Sequence, residues 1–487
     1  MNTVVTDNPA LVDGTWTAGV DDAWLSVLDP ADVRRTVARV PALGAADVAR
    51  AYDGAEIGAQ AWRATGALGR GETLIEAARL LRNRRATIVS DLVAEMGKTI
   101  AEATVEVTKS ADFFEYYGAM ARSASGYSLA DGRPNTMTGV RFEPVGIVLA
   151  ITPWNDPILT PARKIAPALF AGNAVVLKPA TETPLVSLHL ARALLDAGLP
   201  PRALSVLTGR GRDMSAALLS DPRLAAVTFT GSNPVGLGIL AGLAGRNVRI
   251  QTEMGGKNAA AVLADADLDL AADTIVAAGF AQAGQRCTAT SRVVVDRAVA
   301  ADLLERIDLR VAKLKLGPGR DPSTTLGPLI NRTQQESVLS DIAGAVGDGG
   351  VLAAGGRVPA DPRLGNGCFV EATVLSGVTP NMAIWRDEVF GPVLAITEVD
   401  GFDEACDAVN DSAFGLSASL FTRDLAAANT FLDRANTGQV AVNLPTSGWD
   451  VHHPFGGFRE SGSPFKEQGV EALHFYSRAK TYAVRYR

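Results

Sequence analysis

From Val145 onward the chain alternates strand-like and helix-like segments, and this rhythm restricts the fold more than any other feature. VGIVLAITPW reads as a strand, with a helix expected after Pro157. NAVVLKPA is a strand and SLHLARALLDAG a helix, and LSVLTG and AAVTFTG are further strands. Apolar runs of this length, separated by crossover helices, specify a doubly wound α/β fold with helices on both faces of a parallel sheet. Ligands of such sheets gather at the strand carboxyl ends. A second α/β block is expected from about Gly255 to Leu444. Segments up to about Met120 read mostly as helices, among them DVARAYDGAEIGAQAWRA and GETLIEAARLLRNRRATIVSDLVAEMG. YSLADGRPNTMTGVRFEPVG reads as a protruding hairpin. The C-terminal ALHFYSRAKTYAVRYR ends strand-like and could pair with it, within or between subunits.

At 487 residues the chain has room for two or three domains. A formal charge of −7 argues against wrapping nucleic acid or resting on anionic lipid. No run approaches the ~20 apolar residues of a membrane span. MNTVVTDNPALVDGTW has neither the basic nor the apolar region of a secretory leader, so a cytoplasmic, reducing setting is expected. The 3 cysteines, Cys287, Cys368 and Cys406, are far apart and lack CxxC spacing, which excludes a disulfide framework. The 4 histidines, His189, His452, His453 and His474, form no HExxH, and no metal site is expected.

Two segments imitate nucleotide motifs. MGKTI at 96–100 resembles the end of a phosphate loop, but Leu92 stands where the first glycine belongs. GRGRDM at 209–214 starts like GxGxxG and ends in Met214. No GxSxG elbow occurs, which argues against a serine hydrolase. GQRCTA at 284–289 sets Cys287 in a loop after the helix-like LDLAADTIVAAGFAQ. TEMGGKNA places Glu253 at the end of the strand-like VRIQT, and TPWND places Asn155 at the end of another strand. A lone cysteine is most often a buried structural residue, and Cys368 and Cys406 are read that way. A thiol, a carboxylate and an amide at strand ends are instead the parts of acyl-thioester chemistry: nucleophile, general base and oxyanion donor.

TPWN, LKPA-x-x-TP, FTGS-x-x-x-G, EMGGKNA, GQRC, EVFGP and PFGGF-x-x-SG occur in that order. With them the chain resembles the aldehyde dehydrogenase superfamily over essentially its whole length. FFEYYG, the HHPFGG turn and KEQG look most like the semialdehyde dehydrogenases, including α-ketoglutaric semialdehyde enzymes. The resemblance implies a Rossmann-like cofactor domain (1–122 and 142–254) and a catalytic domain (255–449). It also implies an oligomerisation arm (123–141 and 472–487), with 450–471 returning to the cofactor domain, and a homodimer or homotetramer. Cys287 would attack the aldehyde carbon, and the oxyanion would sit between the Asn155 amide and the Cys287 N–H. Hydride would pass to the nicotinamide, and Glu253 would activate water to hydrolyse the thioester. Thr152, Pro153 and Trp154 would line the cofactor side. Gly231, Ser232 and Gly236 would form a turn whose N–H groups meet the pyrophosphate. Lys178 would reach the adenine-side ribose, and Glu388 the nicotinamide ribose with Phe390 beside it.

Departures from the family pattern shape the finer expectations. Many NAD-preferring members have KPxE; here Thr181 takes the glutamate position and Glu182 follows it. Without a carboxylate to repel a 2′-phosphate, Lys178 could bind that group, helped by Arg210 or Arg212. NADP should then be accepted, and could be preferred; the alternative is that Thr181 is neutral and NAD still wins. In the mouth, Asp156 and Arg163 replace the aromatic residues of enzymes for hydrophobic aldehydes. Asp156-Pro157 also reads as a helix cap with proline at the first helical position. Arg163, seven residues on, falls on the same helix face and resembles the arginine of succinic semialdehyde dehydrogenases. Their second arginine is missing, with Ala281 in its place. Trp449 and Phe455 would form the opposite wall, although Trp449 could equally be core packing. The expected activity is NAD(P)-dependent oxidation of a small polar, carboxylated aldehyde to the acid. The alternatives are neutral or aromatic aldehydes, a CoA-acylating relative, a cysteine hydrolase without redox chemistry, and a scaffold that has lost activity.

Overall fold

The alternation after Val145 folds into a sheet ordered Arg249–Glu253, Leu224–Thr230, Ile147–Ile151, Ala174–Lys178 and Leu204–Val206, all parallel. Ala10–Val12 and Thr15–Thr17 extend it antiparallel at one edge. The computed structural model describes residues 6–123 and 126–486. Residues 1–5, which carry part of the leader reading, and 124–125 and 487 of the expected arm lie outside the described residues.

Successive residues of the central strand serve opposite faces, as strand geometry requires. Val148 and Ala150 join one core with the helices Leu159–Phe170 and Leu185–Asp196. Ile147 and Leu149 join another with Ala45–Ala64 and Gly211–Ser220. Strand order reverses between Ile147–Ile151 and Leu224–Thr230, so the ligand crevice of an open α/β sheet belongs beyond these two strand ends. A second sheet, ordered Val351–Ala354, Thr373–Ser376, Val393–Val399, Thr290–Asp296, Asn258–Val262, Ser417–Phe421 and Gln439–Val442, has its own core.

The hairpin forms as Gly126–Leu129 against Thr136–Pro144, and Ser477–Arg485 pairs antiparallel with the latter strand in the same chain. Residues 6–41 differ from their helical reading. Short strands form at Thr6–Asp7, Ala10–Val12, Thr15–Thr17, Trp24–Asp29 and Asp32–Pro41. The brevity of the first three and the arginines within DVRRTVARVP leave little period-2 signal, and cross-strand pairing decides them. No helix among the described residues is long and apolar enough to cross a membrane.

Asn173 ties the base of the arm to the first sheet. Its Oδ1 accepts from Gly146 N at 2.9 Å, and its Nδ2 donates to the carbonyls of Ala168 at 3.0 Å and Tyr476 at 2.9 Å. Asn173→Ala leaves the Gly146 N–H without its acceptor, at a cost of ~1–3 kcal/mol, while the Ala168 and Tyr476 carbonyls keep the N–H groups of Asn173 and Val145. A drop of a few degrees in the thermal denaturation midpoint is expected; an unchanged midpoint would show that water satisfies that N–H.

Candidate active site

A cavity of about 610 Å³ opens at the strand ends. Pro153, Trp154, Asn155, Asp156, Arg163, Gly231, Ser232, Glu253, Cys287, Glu388, Phe390, Trp449 and Phe455 all line it. Thr152, Lys178, Thr181, Arg212 and Gly236 are not on its wall.

The strand Ile147–Ile151 delivers Asn155, whose Nδ2 donates to the Gln285 carbonyl at 3.0 Å. The amide is thus tied to the loop of Cys287, two residues before the thiol. Cys287 follows the helix Leu268–Phe280, and its own carbonyl accepts from Asn258 Nδ2 at 2.7 Å. Burial pushes the thiol up to about 12; Asp156 and Glu388 add to this, while Arg163 and Arg286 oppose it. Glu253 ends the strand Arg249–Glu253. One oxygen accepts from Gly457 N at 3.2 Å and the other is buried without a partner. Burial holds its carboxyl well above the usual range, and the Glu467 charge pushes the same way against Lys164 and Lys466.

The turn Gly231–Ser232 precedes the helix Asn233–Gly242, with Ser232 at the capping position. Gly236 has a packing role: a Cβ there would lie 2.4 Å from the Met254 sulfur. Its part in FTGS-x-x-x-G is close approach of helix to strand, not lining the cavity. Glu388 accepts from Gly256 N at 2.9 Å, and burial raises its carboxyl to about 7 against the pull of that N–H and of Lys257. Phe390 meets the Trp154 ring edge-on at 5.2 Å. Thr152 donates its N–H to the Lys178 carbonyl at 3.1 Å, and its buried hydroxyl has no partner. Lys178 lies at the end of Ala174–Lys178, and burial lowers its ammonium to about 8 against the pull of Glu182. The Thr181 hydroxyl donates to the Gly209 carbonyl at 3.2 Å. Arg212 is exposed, 3.6 Å from Asp213.

At the mouth two expectations need correction. Asp156 caps no helix: the helix begins at Leu159, and Glu106 Oε1 accepts from Ile158 N and Leu159 N at 3.1 Å each. Nor does Asp156 face Arg163. Its Oδ1 accepts from Lys98 Nζ at 2.7 Å and Gln282 Nε2 at 3.0 Å. Burial opposes its ionisation, but Lys98 and Arg286 prevail and hold the carboxyl well below the usual range. Arg163 instead lies 4.6 Å from the centre of the Phe455 ring and 3.5 Å from Glu467 Oε2. Its Nε is buried without a partner. Lys164 bonds the other Glu467 oxygen and donates to Thr228 Oγ1 at 2.9 Å. Trp449 packs against His453, ring centres 6.1 Å apart, and its buried indole N–H has no partner.

Sequence reasoning missed Lys98, Glu106, Lys164, Gln282, Arg286 and Glu467. The available signal was charge in apolar surroundings, as in PARKIAPALF, since a lysine there must find a partner.

Residues 16–482 match the aldehyde dehydrogenase family. The chain is 41% identical over 471 residues to an α-ketoglutarate semialdehyde dehydrogenase of Haloferax volcanii, covering 96% of this chain and 97% of that protein. It is 39% identical over 469 residues to a 2,5-dioxopentanoate dehydrogenase of Saccharolobus solfataricus, covering 96% and 97%. The crystal structure of an NAD-dependent aldehyde dehydrogenase from Sinorhizobium meliloti superposes with a TM-score of 0.95 at 32% identity, covering 98% of this chain and 95% of that one. Sequence and fold agree across both sheets and the site between them: the chain belongs to the aldehyde dehydrogenase family.

Proposed function

We propose that this NAD(P)-dependent aldehyde dehydrogenase oxidises a small carboxylated aldehyde through Cys287, Asn155 and Glu253. The observation that carries the reading is that these three line one cavity together with Glu388 and the Gly231–Ser232 turn. The wall fits a nicotinamide dinucleotide. Thr230 contributes a buried hydroxyl without a partner, and the Gly231–Ser232 turn on the wall leads into the helix Asn233–Gly242, whose N-terminal end favours an anion although Pro234 offers no N–H. Pro153, Trp154, Gly231, Ser232, Glu388 and Phe390 would hold the group, with Thr152, Lys178 and Thr181 towards its adenine end and Gly236 supporting the turn. The bound dinucleotide supplies the hydride acceptor.

Cys287, as the thiolate once its proton has passed to solvent, adds through sulfur to the aldehyde carbon. Asn155 Nδ2 and the Cys287 N–H stabilise the oxyanion, each such donor contributing ~2.7–4 kcal/mol to the transition state. Loss of hydride leaves a thioester on Cys287. Glu253 takes a proton from water as its oxygen attacks the thioester carbonyl, which frees the acid and the thiol. Retention of Glu253 favours hydrolysis over transfer to CoA.

Arg163, stacked on Phe455, would hold the substrate carboxylate, with Trp449 and Asp156 elsewhere on the same wall. Two cations, Arg163 and Lys164, share the single Glu467 carboxylate, and the Arg163 Nε–H has no partner, which leaves Arg163 able to pair with an anionic tail. The relatives named for α-ketoglutarate semialdehyde and 2,5-dioxopentanoate support an acid aldehyde. Acceptance of NADP rests on Thr181, which brings no carboxylate, with Lys178 and Arg212 as cations for a 2′-phosphate. Residues 1–122 and 142–254 would serve the cofactor, 255–449 the catalytic cysteine, and the arm assembly, with 450–471 returning across the site. Exposed Tyr127, Leu129, Met137 and Val484 on the arm, Phe142 next to it, and Val235 and Leu237, are apolar surface that a second copy would cover in a homodimer or homotetramer. A cytoplasmic location suits the free thiol.

Arg163→Ala should collapse the kcat/KM preference for ω-carboxylated over neutral aldehydes of equal length, by roughly 10–150-fold for one charge-assisted hydrogen bond. Equal losses on both substrates would remove the anionic-substrate reading. Glu253→Gln should keep the pre-steady-state burst of NAD(P)H while steady turnover slows by ~10²–10⁴. Because the Glu253 pKa is raised, its base form appears only as pH rises through that pKa. Wild-type deacylation should therefore climb with pH in that range, and the variant should lose this dependence; loss of the burst would contradict the role. Thr181→Glu should shift preference towards NAD in assays with both cofactors, and an unchanged ratio would show that position 181 does not read the 2′ group.

A further inference from the structure

The loop that carries Cys287 is held in an unfavourable shape. Gln282 and Ala283, consecutive residues with side chains, both adopt left-handed backbone angles, φ 54° with ψ 31° and φ 54° with ψ 38°. Such residues persist there only where the surroundings impose the conformation. The helix Ile100–Ala119 imposes it here. Glu102 Oε1 accepts the Gln282 N–H at 2.7 Å, while Oε2 accepts from Thr99 N at 2.9 Å and Thr99 Oγ1 at 2.8 Å. One carboxylate thus closes the start of its own helix and grips the cysteine loop.

One turn further, Glu106 Oε1 takes the N–H groups of Ile158 and Leu159, just after Asn155. Its other oxygen bonds Lys98, which is buried between Glu106 and Asp156. The same Asp156 oxygen accepts from the Gln282 side chain. The circuit closes across the cavity, where Asn155 donates to the Gln285 carbonyl. MGKT, excluded as a phosphate loop, therefore supplies a lysine to this network.

We propose that Lys98, Glu102 and Glu106 are positioning residues that lock the Cys287 loop against the Asn155 turn and so set the width of the oxyanion pocket. The inference rests on the reading of Cys287 and Asn155 as nucleophile and oxyanion donor. None of the three is assigned contact with the reacting atoms; they act through Gln282, Asp156 and the 155–159 backbone.

The test is the NAD(P)H burst in stopped flow, together with iodoacetamide labelling of Cys287 followed by peptide mass spectrometry. In Glu102→Gln a single amide oxygen must serve both Thr99 and Gln282, and the burst rate constant should fall at least ~tenfold, since small misplacements are costly in rate. The KM for the dinucleotide should stay within ~twofold, because only the loop geometry has changed. Adding Ala283→Gly removes the steric penalty of the left-handed backbone without restoring a bond, and should recover at least ~threefold of the lost rate. Gln282→Ala cuts only the link to Asp156; it should slow the burst at least ~threefold, and it carries the test if Glu102→Gln does not fold. Burst rates within twofold of wild type in both variants, or a loss that Ala283→Gly does not relieve, would overturn the proposal. If wild type shows no burst with any aldehyde, the catalytic reading fails instead. Labelling then decides the positioning claim, and an unchanged Cys287 labelling rate in Glu102→Gln and Gln282→Ala would overturn it.

Discussion

A lysine ammonium without surface exposure needs a counter-charge, and Lys164 imposes that need on the rest of the site. Leaving such a charge unpaired costs several kcal/mol. Its partner Glu467 lies 303 residues along the chain, so the segment after the second sheet must return to the first. Burial still lowers the Lys164 ammonium against the pull of Glu467. The returning strap is stitched down by backbone bonds: Glu467 N to Phe455 O at 2.6 Å, Met254 N to Ser461 O at 2.8 Å and Ser463 N to Thr252 O at 2.9 Å. In crossing, it lays Gly456 and Gly457 over Glu253. Gly456 has φ 147°, and a Cβ there would sit 2.3 Å from Glu253 Oε1. The contact that neutralises Lys164 therefore also desolvates the carboxylate assigned to the water step.

That desolvation gives the site its electrostatic character. Burial raises the pKa of the Cys287 thiol, of Glu253 and of Glu388, while Arg163 and Arg286 pull the thiol the other way. The Asp156 and Glu388 charges add to the cost of ionising Cys287, so the two guanidinium groups are what favour its thiolate.

The parts of this arrangement that sequence reasoning reached are those with local signals. Strand–helix alternation placed Glu253 and Asn155 at strand ends, and the Gly/Gln-flanked loop set Cys287 apart from Cys368 and Cys406, which are both buried. What it missed depends on partners distant in the chain. Lys98 gains meaning from Glu106 and Asp156, and Glu467 from Lys164 and Arg163. Spacing within a segment carries no trace of such pairings. The early strands were misread for the same reason, because Asp32–Pro41 is decided by its antiparallel neighbour Trp24–Asp29 and not by its own pattern.

The clearest case is the mouth. Asp156 and Arg163 share a helix face only if the helix contains both, and a cap at Asp156 would have brought it close to doing so. The helix starts at Leu159 because Glu106, from another helix, supplies the acceptor its first N–H groups lack. Asp156 then remains in the turn and finds Lys98 and Gln282. Arg163 is left to share Glu467 with Lys164, stacked on Phe455, with its Nε still unsatisfied. A shift of two residues in where one helix begins thus decides whether Arg163 meets Asp156 or is left with a guanidinium N–H that has no partner beside the cavity.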